Sequence, residues 1–124
     1  MTDDRLRVLR LEAAPASDSA PNLLGSLASA DLNVNMLRFA GEHGIEAHVN
    51  REVDVLIVAL AGEGVLVADG APIVLTAGDA VVVPKGMERS IRSNGDHFAY
   101  LTCHGRRRGL MPTVKKASPP IVTR

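Results

Sequence analysis

The stretch 53–89 constrains the fold most, because short apolar runs rich in β-branched residues are cut there at close intervals by turn-forming residues. Val55-Leu56-Ile57-Val58-Ala59-Leu60 leads into Ala61-Gly62-Glu63-Gly64, and Val65-Leu66-Val67-Ala68 ends at Asp69-Gly70. Pro72-Ile73-Val74-Leu75 then reaches Thr76-Ala77-Gly78-Asp79, and Ala80-Val81-Val82-Val83 stops at Pro84-Lys85-Gly86. Strand-sized runs separated by Gly, Asp-Gly and Pro at intervals of about 8–12 residues predict an antiparallel sandwich or barrel. Gly62-Glu63-Gly64 joins two such runs rather than opening a helix, so it is a turn between strands and not a phosphate cradle.

The flanks extend the same pattern. Leu6 to Leu11 alternates apolar and basic residues, which predicts an edge strand with its arginines toward water. Ala13 to Pro21 reads as a loop, and Asn22 to Ala30 is open between a short helical turn and an irregular cover. Asp31 to Phe39 predicts a half-buried strand with Leu32, Val34, Met36 and Arg38 on one face. After the turn Gly41-Glu42-His43-Gly44, a strand is expected from Ile45 to Glu52. Its parity sets Ile45, Ala47 and Val49 on one face and Glu46, His48 and Asn50 on the other. A polar strand Arg89–Ser93, a turn Ser93-Asn94-Gly95-Asp96 and a last strand His97–His104 complete the order.

A chain of 124 residues predicts one domain with one core. Its 14 basic and 14 acidic residues cancel, so no overall field draws it to nucleic acid or to an anionic membrane. No apolar run approaches the roughly 20 residues of a membrane span, and the polar start is unlike a signal peptide, so a cytoplasmic protein is expected. Cys103 is alone and provides neither an intrachain disulfide nor a Cys-rich zinc site. The only aromatic residues are Phe39, Phe98 and Tyr100, too few for a platform on which bases or sugars stack. Val, Leu, Ile and Ala must therefore fill the core.

Gly78-Asp79-Ala80-Val81-Val82-Val83-Pro84-Lys85-Gly86 resembles the second motif of the cupin superfamily, in which a Gly is followed after five residues by Pro-x-Gly. Gly62-Glu63-Gly64 resembles the end of the first motif. The resemblance covers about 32–104, and it implies an all-β, cupin-type double-stranded β-helix, a jelly-roll barrel with little helix. On this reading 1–104 is a single barrel with an N-terminal strand and cover in 1–31, and 105–124 is a basic C-terminal tail. A homodimer is expected as well, since small barrels of this type leave sheet edges and an apolar face for a second subunit.

The departures from the family pattern fall on its metal ligands. The first cupin motif offers His-x-His and then a Glu seven residues before the turn glycine, and the second offers a His three residues past Pro-x-Gly. Here His48 and Asn50 stand at the first two places, Val55 at the Glu and Arg89 at the last His. A transition metal wants three or four converging N, O or S donors, and an always-protonated guanidinium among them repels it. The expectation is a barrel without the usual metal, which binds a small organic ligand. Arg89 would hold an anionic or carbonyl group, and His48 or Asn50 would add hydrogen bonds. The acid or base of an isomerase- or cyclase-type reaction would be His48 or Asp54, and Glu52 shares the parity of Asp54. An inward Arg89 also needs compensation, from Asp54, Glu52 or a bound carboxylate or phosphate ester. Two other readings stay open: a divalent transition metal held by His48 with Glu52 or Asp54 as in a dioxygenase or isomerase, and a structural module with a filled barrel.

Overall fold

The computed structural model describes residues 6–10 and 22–106, and every regular element in them is a β-strand. The strands are β1 (Asn22–Ala28), β2 (Leu32–Ala40), β3 (Gly44–Val49), β4 (Val55–Ala68), β5 (Ala71–Thr76), β6 (Ala80–Val83) and β7 (Glu88–Gly105). All their pairings are antiparallel.

Two long strands organise the rest. β4 and β7 pair along most of their lengths, from Leu56↔Cys103 to Ala68↔Arg89. The first half of β4 also pairs with β6, and the second half with β5. The C-terminal half of β7 pairs with β2, and its N-terminal part with β3. The sheet thus divides into two leaves, one with the order β1-β2-β7-β4-β6 and the other β3-β7-β4-β5. The core lies between them. Phe39, Val55, Ile57, Ala59, Val83, Phe98 and Tyr100 come from the first leaf, and Leu66, Leu75 and Ile91 from the second.

The bend between the leaves falls where the sequence predicted two turns, yet both strands continue through it. Gly62 pairs with Phe98 but Gly64 pairs with Ser93, so residues 94–97 of β7 span the place of the single residue Glu63 and bulge out. Glycine makes this possible on the other strand. Gly62 has φ +76°, and a Cβ there would run into the His97 carbonyl, while one at Gly64 would run into the Phe98 ring. At the other end of β4, Asp69 and Gly70 both have positive φ, as a two-residue hairpin with Ala68 opposite Ala71 requires. That hairpin is fastened to the start of β7, since the Asp69 N–H donates to the Glu88 carbonyl (2.8 Å) and the Glu88 N–H donates to Asp69 Oδ1 (3.1 Å).

The N-terminal region differs from its sequence reading. Residues 6–10 join no ladder; Leu6 and Val8 stay exposed, and Leu9 packs onto Gly25. The edge strand is instead β1, in the stretch read as a turn or cover. Residues 11–21 and the tail beyond Arg106 lie outside the described residues. In β2 the face toward the core carries Leu37 and Phe39, opposite Tyr100 and Phe98, whereas Leu32, Val34, Met36 and Arg38 lie on the other side. Alternation alone did not identify the core face, because Asn33 and Asn35 interrupt the side that carries Leu37 and Phe39 while Leu32, Val34 and Met36 form an unbroken apolar set.

Candidate functional site

At the start of β7, Arg89, Ile91 and Ser93 are buried while Ser90 is half-buried and Glu88 and Arg92 are exposed, a period of two that marks the inner face. Across β4 these three stand opposite Ala68, Leu66 and Gly64. Arg89 is only 8% exposed. A guanidinium is protonated at any ordinary pH, and taking it out of water costs several kcal/mol unless anionic or hydrogen-bonding groups meet it, on the order of what a buried ion pair must recover.

On its other side Arg89 stands opposite His48. The parity of β3 read from sequence put His48 on the face away from Ile45. The register shows otherwise: Ile45 pairs with Ile91 and His48 with Arg89, so the three-residue step from 45 to 48 matches two residues of β7. A bulge accommodates the extra residue and returns His48 to the face of Ile91 and Arg89, since directly opposed residues share a face. His48 remains exposed, at the rim. Its Nδ1 lies 3.0 Å from the Glu46 carbonyl. A carbonyl only accepts, so in this contact Nδ1 is the donor, which leaves Nε2 as the ring nitrogen not engaged by it.

The remaining candidates serve the loop beside the site. Asn50 is buried, its Oδ1 accepts from the N–H groups of Glu52 (2.9 Å) and Val53 (3.2 Å), and its carbonyl accepts from the Gly86 N–H (2.8 Å). Asp54 is exposed, and its Oδ1 accepts from the Lys85 N–H at 2.9 Å. Glu52 is exposed. Together these bonds tie the β3–β4 connection to the Pro84-Lys85-Gly86 turn that precedes Arg89.

The residues do not fit a transition metal of the usual cupin kind. Val55, at the place of the glutamate, is a core residue opposite Val83. The last ligand place holds the buried cation of Arg89. Among the described residues no group of three or more His, Cys, Asp or Glu is arranged to hold a metal ion. His43 is exposed, and the Nδ1 of His104 lies 2.8 Å from the Gly105 carbonyl at the far end of β7, so neither joins His48.

Two hydroxyl groups inside the roll were not singled out by sequence reasoning. Ser93 is 0% and Tyr100 1% exposed, and neither Ser93 Oγ nor Tyr100 OH has a hydrogen-bond partner among the described residues. A buried polar group without a partner costs about 1–3 kcal/mol. The Tyr100 ring stacks on Phe98 with centroids 5.1 Å apart and is tilted 30° to Phe39 at 6.0 Å. Burial pushes the Tyr100 phenol far above its ordinary value of 10.0. The sequence places Ser93 where a polar strand meets a turn and Tyr100 within the last strand, with no role for either hydroxyl. The alternation Arg89-Ile91-Ser93 was the one signal available for Ser93.

The family model described as a cupin domain matches residues 36–104. Solved structures share the fold. An uncharacterized conserved protein with a double-stranded β-helix domain from Klebsiella pneumoniae superposes with a TM-score of 0.75 at 18% identity, over 87% of this chain and 92% of that one. A cupin superfamily protein from Desulfitobacterium hafniense gives 0.68 at 23% identity, over 78% and 88%. An RmlC-like cupin from Desulfovibrio desulfuricans gives 0.67 at 22% identity, over 81% and 96%. A comparison with curated proteins gives no match.

Proposed function

Since the chain belongs to the cupin family, we propose that it binds a small organic anion, such as a carboxylate, on the inner face beside β3 and β7, without the usual cupin metal. The observation that carries this reading is the juxtaposition of a buried Arg89 with a rim His48 across one rung of the β3–β7 ladder. A guanidinium carries five N–H donors in a fork whose geometry matches a carboxylate, and removal from water strengthens such a pairing. His48 stands at the open side of that rung with Nε2 able to accept a proton. This pair supports acid–base chemistry of the isomerase or cyclase type. Arg89 holds and polarises an acid or carbonyl group, and His48 accepts a proton from the neighbouring carbon and returns it elsewhere.

The test is thermal unfolding in the presence of a panel of small mono- and dicarboxylates. At 100 times its dissociation constant, a ligand that binds only the folded chain stabilises it by about 2.7 kcal/mol. At least one acid should raise the melting temperature of the wild type by several degrees, and Arg89→Ala should abolish that rise. An Arg89→Ala protein that responds with undiminished affinity would overturn the anchoring role. Protein purified without chelator or affinity-tag nickel should carry well under one mole of transition metal per chain by elemental analysis. Stoichiometric metal would overturn the metal-free reading.

A further inference from the structure

We propose that Ser93 and Tyr100 form a hydrogen-bonding subsite inside the roll, selecting, among small carboxylates held by Arg89, those that carry a second oxygen function, a hydroxyl or keto group. The inference rests on the carboxylate reading of Arg89 and adds the class of molecule. Arg89, Ile91 and Ser93 follow one another along the inner face of β7, so the Cα atoms of Arg89 and Ser93 are about 13 Å apart at the usual strand rise. That span accommodates the arginine side chain and a short acid. Ser93 stands opposite Gly64. A Cβ on Gly64 would strike the Phe98 ring, and Phe98 in turn stacks on Tyr100. Ser93 and Tyr100 are therefore both neighbours of Phe98, one across from Gly64 and the other through its ring.

Their other neighbours on this face are apolar. The side chains of Ile91, Leu66, Ala59 and Phe98, adjacent on the ladder, offer no acceptor, and both hydroxyls lack partners among the described residues. An apolar lining with a few placed polar groups is the usual composition of a small-molecule site. A ligand oxygen that meets a hydroxyl with no other partner gains a hydrogen bond without displacing one. A site of this kind discriminates against the analogue that lacks the oxygen more sharply than an apolar pocket discriminates by size.

The experiment compares lactate, malate and 2-oxoglutarate with propionate, succinate and glutarate, which have the same carbon skeletons without the hydroxyl or keto oxygen. Binding is read by melting-temperature shift and by intrinsic fluorescence, which Tyr100 alone supplies because the chain has one Tyr and no Trp. At least one oxygenated acid should bind the wild type ten-fold or more tightly than its partner and change the Tyr100 emission. Ser93→Ala and Tyr100→Phe should each reduce that preference several-fold while leaving affinity for the plain acid unchanged. Equal binding of both series to the wild type, lost in Arg89→Ala, would overturn the subsite and leave the Arg89 reading standing. A preference that persists in both hydroxyl variants would do the same. Failure of every acid to bind would overturn the Arg89 reading and the subsite with it.

Discussion

Tyr100 couples the interior of this roll to pH. Its phenol is buried, with no hydrogen-bond partner among the described residues, and burial favours the neutral form and raises the folded-state pKa above the unfolded one. In the interval between them the folded chain retains a proton that the unfolded chain releases. The contribution of Tyr100 is therefore fully present below about pH 10 and is lost as pH rises beyond it, at up to about 1.4 kcal/mol per pH unit. Urea denaturation from pH 8 to 11 should show this alkaline decline in the wild type, and Tyr100→Phe should flatten it. A decline unchanged in Tyr100→Phe would assign the effect to other groups. Arg89 contributes no comparable dependence, because its charge does not titrate in that range.

At the scale of elements, the bend that divides β4 and β7 into two leaves depends on a local departure from regular pairing. Gly62 has φ +76° and lies against the His97 carbonyl, so Gly62→Ala adds a backbone conformation that costs about 1–3 kcal/mol to a direct collision. Gly70 has φ +86° in the Asp69-Gly70 turn, but nothing lies within 4 Å of a Cβ built there. Gly70→Ala should therefore cost only the backbone term, about 1–2 kcal/mol. Urea denaturation of the two variants should find Gly62→Ala the less stable by at least about 1 kcal/mol. Equal losses would mean that β7 yields at His97 and that the bend does not need glycine.

For the molecule as a whole, the outer surface of the first leaf raises the question of what covers it. Val82, Leu56, Cys103, Val34 and Leu27 stand in one unbroken rung across β6, β4, β7, β2 and β1, and Ala80, Val58, Leu101, Met36 and Gly25 form the next. Leu9 covers the β1 end, where it packs on Gly25, and Leu6 and Arg7 line a cleft of about 260 Å³ with Leu27 and Val34. The β6 end has no such cover among the described residues: Val82 is 55% and Leu56 37% exposed. Two copies that meet through this face bury no charge from either rung, so the patch is complementary to itself. Sedimentation at micromolar concentration should find a homodimer, and Leu56→Asp should shift it to monomer with the fold retained by circular dichroism. A wild-type monomer would assign this face another role. No helix among the described residues is long and apolar enough to cross a membrane.

The sequence by itself determined most of the strands, the Asp69-Gly70 and Gly78-Asp79 turns and the family, because these depend on local chemistry; it missed β1 and placed turns at 61–64 and 93–96, where β4 and β7 run on. Asp69-Gly70 and Gly78-Asp79 supply the backbone conformations that hairpins and tight turns need, and the spacing from Gly78 to Gly86 carries the cupin pattern. The places of Val55 and Arg89 were also legible, since counting from fixed turn glycines does not depend on packing. Tertiary structure decided which faces look inward. In β2 the unbroken apolar set is Leu32, Val34 and Met36, and only the partners on β7 select Leu37 and Phe39, on the face interrupted by Asn33 and Asn35, for the core. In β3 a single extra residue reverses the parity and brings His48 opposite Arg89. Ser93 and Tyr100 became visible as unpartnered hydroxyls only once the two leaves had closed over them. A strand pattern has a period of two and no sign of its own. The neighbour across the ladder supplies that sign, and a bulge can reverse it without leaving a mark in the composition.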